Sequence, residues 1–351
     1  GRRIFKVKAT IPAQPGPLTL LYPQWLPGAH SPSGPIDKLA GLQITANGKP
    51  LTWTRDPYNV YAFTVNVPQG ATDVVANFNF MSSQGGTQGR VVMTPDILNL
   101  QWNANSLYPA GVNTRNIQAQ ATVTLPPGWK YATALETERR DGDTVVFKPI
   151  SYDHLVDSPL FAGQHYRQFD LDPGAKVPVR LNVFADNAKS LEAKPEQIQA
   201  HRALVQQIYK LYGARHFDHY DFLLALTSQL GGIGLEHQRS SENSGDTGYF
   251  TEWDSTWLGR DLLPHEFNHS WNGKYRRGAD LTTANFNVPM GDSLLWLYEG
   301  QTQFWGQVLA ARSGLWSVDQ TRDMLANVAA TYDRGRPGLA WRNLQDTTND
   351  P

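Results

Sequence analysis

The periodicity of apolar residues changes once along this 351-residue chain, and that change limits the fold more than any other feature. Up to about residue 185 the chain reads as short β-rich runs: Ile4–Ile11, Leu18–Tyr22, Val60–Val67, Val74–Phe80, Gln118–Leu125 and Val177–Phe184. Pro and Gly clusters separate them, as at Pro126-Pro127-Gly128. Pro cannot donate to a central strand and Gly admits tight turns, so this spacing predicts an all-β sandwich or saddle. Beyond residue 185, Ile198, His201, Val205, Ile208 and Tyr212 recur at helical spacing, and Gly213 follows as a C′ residue. The apolar run Phe222–Leu226 predicts a buried strand, Gly231-Gly232 a turn, and residues 262–272 and 293–312 two further helices. An α+β protein is therefore expected, with a β domain over residues 1–185 and a mostly helical domain over 186–351. The length suits two cores better than one.

Composition removes several functions. The formal net charge is -1, which supplies no electrostatic footprint for nucleic acid or an anionic membrane. No apolar run approaches the roughly 20 residues of a membrane span. There is no cysteine, so disulfides and thiolate sites are excluded and any metal must be held by His and carboxylates. The low charge content and eleven tryptophans suit a periplasmic or secreted protein, although the same composition is common in the cytoplasm. The chain opens on Gly1-Arg2-Arg3 rather than Met, so a preceding segment is expected. Oligomeric state is not readable from the sequence.

The chemistry is concentrated in Leu263-Pro264-His265-Glu266-Phe267-Asn268-His269, an H-E-x-x-H pattern. Residues four apart share a helix face, so both imidazoles can reach one ion. Glu266 borders that face, where it can take a proton from water on the metal. Asp261 is the expected N-cap, and Pro264 is tolerable in the first turn only. A third ligand is Glu299, the one carboxylate in the apolar helix expected over Leu294–Thr302; such a group is costly to bury unless paired or bound to metal. Two His and one Glu with an open fourth position form the ligand set of a hydrolytic Zn2+ site, one ion per chain. His216 and His219 flank an aspartate and read as structural. The rigid turn Trp25–Pro32 reads either as a substrate-facing loop or as a packed connection.

Three blocks, Gly231–Ser241 (GGIGLEHQRSS), His265–Lys274 (HEFNHSWNGK) and Trp296–Thr302 (WLYEGQT), closely resemble the glycyl aminopeptidase family of zinc metallopeptidases. These are gluzincins, relatives of thermolysin and of aminopeptidase N. The long interval between His269 and Glu299 and the N-terminal block Tyr22–Pro32 fit the same family. The resemblance implies an N-terminal β domain followed by a thermolysin-like catalytic domain. It implies an aminopeptidase with a preference for small first residues, acting on peptides with a free N-terminus. It places Glu236 where relatives bind the substrate's α-amine; judged without the family, a loop carboxylate is an equal reading. It also implies a transition-state tyrosine, and a PDZ-like segment, beyond Pro351. Relatives often support a zinc histidine from the position that Gln303 holds here. An endopeptidase using the same site, a catalytically silent zinc protein that binds peptides, and a Trp-rich β-domain ligand binder with an incidental metal site remain alternatives at this point.

Overall fold

The computed structural model describes residues 2–348, so the expected outer limits at 1 and 349–351 lie outside the described residues. The chain divides into two compact units. The first takes residues up to Pro127, Leu135–Leu160 and Thr283–Met290; the second takes Gly128–Ala134, Phe161–Thr282 and the remainder from Gly291.

The first unit is a β-sandwich. One antiparallel sheet runs in the order Ile4–Pro12, Asp73–Met81, Leu39–Ala46, Lys49–Leu51. The other runs Trp53–Arg55, Ala62–Val67, Gly16–Leu21, Tyr108–Pro109. Alternate residues of Asp73–Met81 (Val74, Ala76, Phe78, Phe80) are buried, as the period of two requires. Val74 and Ile44 from one sheet meet Leu20, Phe63 and Val65 from the other in a single core. Asn47-Gly48, both at positive φ (49° and 74°), turns Leu39–Ala46 back onto Lys49–Leu51 in a two-residue hairpin. The short helix α1 (Tyr152–Val156) belongs here, its N-terminus capped by Ser151. The turn at Trp25 is a packed connection: the backbone N–H groups of Gln24 and Trp25 donate to Phe286 O at 3.0 and 2.7 Å.

The second unit holds a five-stranded sheet in the order His165–Asp170, Val179–Ala185, Tyr220–Leu226, Ser240–Gly245, Gly234–Glu236. The middle three strands are parallel and both outer strands antiparallel. Tyr220–Leu226 is buried at every position, as a central parallel strand covered on both faces should be. The helices are α2 (Pro195–Tyr212), α3 (Leu262–His269), α4 (Leu295–Ser313), α5 (Val318–Arg334) and α6 (Leu344–Thr347). Pro195 starts α2, and Gly213 at φ 68° ends it in the left-handed conformation. Pro264 falls in the first turn of α3, where it leaves the helix intact. Asp261 occupies the N-cap position of α3 without a side-chain cap. The unit starts earlier in the chain than the change of periodicity at residue 185. His165–Asp170 and Val179–Ala185 look like the strands before them, but their hydrogen-bond partners lie in the second unit's sheet. Among the described residues no helix is long and apolar enough to cross a membrane.

The core beside α2 carries a histidine that titrates out of range. His201 is fully buried; Nδ1 donates to Gln197 O at 2.7 Å, which leaves Nε2 to accept from the Tyr249 hydroxyl at 2.9 Å. Burial pushes its pKa down from 6.5 to about 4. The unfolded chain therefore binds this proton first, and stability is lost as pH falls from about 6.5 toward 4. The loss is on the order of 3 kcal/mol. Urea midpoints at pH 7.5 and 4.5 should differ by less in His201→Gln than in the unaltered protein; an equal pH dependence in both would refute the assignment.

Candidate metal centre

Three donor atoms from two helices converge. His265 Nε2 and His269 Nε2 lie 3.0 Å apart, and Glu299 Oε2 stands 3.4 Å from the first and 3.3 Å from the second. Ligands bound at about 2.0–2.1 Å to a tetrahedral ion are spaced about 3.3–3.4 Å from one another, so the three atoms already outline one face of a zinc-sized tetrahedron. The tautomer agrees with this reading. His269 Nδ1 donates to Asn272 O at 3.1 Å, which leaves the Nε2 lone pair facing its partners. His265 Nδ1 is buried without a hydrogen-bond partner. Nitrogen and oxygen donors of this type fit Zn2+.

The two helices reach this geometry because one residue lacks a side chain. A Cβ placed on Gly306 of α4 would lie 3.1 Å from His265 Cα, so the backbones of α3 and α4 are in direct contact there. Glu299, seven residues earlier on α4, shares the helix face of Gly306 and is carried to the imidazoles. Buried Thr302 stands between them. Its carbonyl accepts from Asn268 Nδ2 at 3.3 Å, and its hydroxyl accepts from Asn272 Nδ2 at 3.0 Å. Asn268, Asn272 and Thr302 were not singled out from the sequence, although Asn268 and Asn272 lie in the same block as the histidines. Gln303, whose part the sequence left open, donates to Asp261 Oδ2 at 3.2 Å. Glu299 also differs from expectation: its side chain is 39% exposed rather than buried in an apolar helix.

Glu266 sits beside the triad, one of its oxygens within 4.8 Å of ligand atoms of both histidines. Burial raises its pKa well above the ordinary carboxyl value, and Glu236, Glu299 and Glu242 add to the shift. The outer strand Gly234–Glu236 runs alongside. A Cβ on Gly234 would come 2.5 Å from Glu266 Oε1, so any larger residue there would have to displace the Glu266 carboxylate. At its end Glu236 is buried and accepts from the Tyr298 hydroxyl at 2.5 Å. Next to it, His237 Nε2 meets the fully buried Glu242 at 3.0 Å. At the Gly234 end the cleft widens into a cavity of about 890 Å³ bordered by Gly232, Ser244, Asp246, His265 and Glu266. His216 and His219 lie elsewhere, hydrogen-bonded to Ser270 and Asp221.

The sequence profile of the peptidase M61 N-terminal domain matches residues 1–164, and that of M61 glycyl aminopeptidase matches residues 259–351. Together they span well over half of the chain. No curated protein sequence matches it. Among solved structures, an aminopeptidase N family protein from Idiomarina loihiensis is similar, with a TM-score of 0.79 and 19% identity. The match covers 95% of this chain and 56% of that one, so this chain spans little more than half of that relative's length. A variant of a two-domain M1 zinc metallopeptidase bound to L-tryptophan gives a TM-score of 0.51 at 15% identity, covering 94% of this chain and 71% of that one. At these identities the likeness speaks for the fold.

If the contact at Gly306 sets the ligand spacing, Gly306→Val should part α3 from α4 and loosen the metal without removing a ligand. Zinc retained after dialysis should fall in Gly306→Val and in Glu299→Ala, each by at least about 10-fold in affinity. Unchanged retention in Glu299→Ala would eliminate Glu299 as the third ligand.

Proposed function

Because this chain belongs to the M61 glycyl aminopeptidase family, we propose that it is a zinc aminopeptidase. It removes the first residue, Gly or Ala, from peptides with a free N-terminus. The observation that carries this reading is a buried carboxylate, Glu236, close enough to Glu266 and His269 to act on both electrostatically, beside the His265, His269 and Glu299 donors. Zinc held by these three residues supplies Lewis acidity, which makes water a nucleophile near neutral pH and polarises a carbonyl.

The remaining work falls to the chain itself. Glu266 takes the proton from the attacking water and later returns it to the leaving amine. Glu236 offers a fixed carboxylate to the substrate's α-ammonium and offsets the water that ion loses on entry. Glu236, His237 and Tyr298 are all buried around the proposed amine position, which supports a site that stops at the amine. This favours an exopeptidase over an endopeptidase. The wider cavity at the Gly234 end leaves room for the rest of the peptide.

Two outcomes follow. Glu266→Gln should keep zinc and lose at least about 10²-fold in kcat, the scale of a general base; substantial residual turnover would remove Glu266 from that role. Glu236→Ala should lower kcat/KM on free-amine peptides by roughly 10- to 150-fold, the scale of a charge-assisted bond. Acetylated peptides should be affected far less. Should the unaltered protein cleave acetylated and free peptides equally well, Glu236 is no amine anchor and the endopeptidase reading replaces this one.

A further inference from the structure

Tyr298 has no part in the chemistry above, yet it closes the amine end. It precedes Glu299 on α4 and is 6% exposed. Its hydroxyl donates to Glu236 Oε1 at 2.5 Å, and its ring packs against His269 with centroids 4.8 Å apart. The ring thus spans the distance from the amine anchor to a metal-binding histidine. It also has no room to withdraw. Gly273, at φ 135°, approaches so closely that a Cβ there would lie 2.5 Å from Tyr298 Cζ.

A first residue whose ammonium rests on Glu236, and whose carbonyl lies at the metal, has its Cα between those two points. Its side chain must share that space with the tyrosine ring. We propose that Tyr298 determines specificity: its hydroxyl aims the Glu236 carboxylate at the amine, and its ring leaves room only for a glycine or alanine side chain. The two roles are separable, because one needs the oxygen and the other needs the ring. The proposal rests on the aminopeptidase reading and adds the residue that sets the size limit.

The test compares kcat/KM on Gly-, Ala-, Leu- and Phe-initiated peptides, free and N-acetylated, with zinc content measured for each variant. Tyr298→Ala should raise the Leu-to-Gly ratio at least about 10-fold, the scale of a hydrophobic pocket gaining one or two methylenes. Tyr298→Leu, which keeps much of the buried apolar volume, should do the same if the alanine variant does not fold. Tyr298→Phe should leave that ratio unchanged while the advantage of free over acetylated substrates shrinks about 10-fold, as for a lost hydrogen bond to a charged group. A ring that merely supported the fold would lower all substrates together. An unchanged Leu-to-Gly ratio in zinc-loaded Tyr298→Ala or Tyr298→Leu overturns the size limit, and an unchanged free-amine advantage in Tyr298→Phe overturns the orienting role. Equal cleavage of free and acetylated peptides by the unaltered protein is a different result, which overturns the aminopeptidase reading and this proposal with it.

Discussion

Helix axes usually pack about 8–10 Å apart because side chains fill the interface. Where α3 crosses α4, Gly306 contributes no side chain and the backbone of α4 rests on His265 itself. Much of the site's geometry follows from that contact. It brings Glu299 to within 3.4 Å of both imidazoles, and it brings Thr302 into the polar clamp with Asn268 and Asn272. A metal site needs its ligands held within a few tenths of an ångström, and a backbone-to-backbone contact is stiffer than one made through flexible side chains.

The second constraint is electrostatic. Glu236, Glu242, Glu266 and Glu299 surround one small volume, and three of them are buried. Each has a local response. Glu242 faces His237, Glu236 accepts from Tyr298, Glu299 touches both histidines, and Glu266 holds its proton more tightly than a free carboxyl. Such a volume favours an entering cation, and the proposed chemistry brings two: a metal ion and a substrate ammonium. Glycines at both walls make the crowding sterically possible, Gly234 against Glu266 and Gly273 against Tyr298.

The long interval between the second and third candidate ligands also has a structural explanation. Thr283–Met290, which lies within it, is part of the first unit. Its Phe286 carbonyl accepts from Gln24 and Trp25, and Asn287 Nδ2 donates to Tyr22 O at 3.0 Å. The interval is therefore occupied by packed chain.

Local pattern determined what local physics controls. Short β-rich runs between Pro and Gly clusters marked the strands of the sandwich, because Pro cannot donate to a central strand and Gly admits tight turns. The i, i+4 spacing of His265 and His269 marked a pair on one helix face, because 3.6 residues make a turn. The residue types were enough to say that any metal must be bound by nitrogen and oxygen. Other features depend on partners far away in sequence, which leave no periodic trace. Val179–Ala185 reads as one more short β-rich run, and only its pairing with Tyr220–Leu226 assigns it, and His165–Asp170 beside it, to the second unit's sheet. Gly306 reads as an ordinary glycine within a helix until α3 is found against it. The bond from Tyr298 to Glu236 joins two helix and strand ends that no spacing rule connects. The kinds of chemistry available were thus written in the sequence, whereas the distances that make them usable were decided by tertiary packing, since only close contact between remote segments can set a separation of 3 Å.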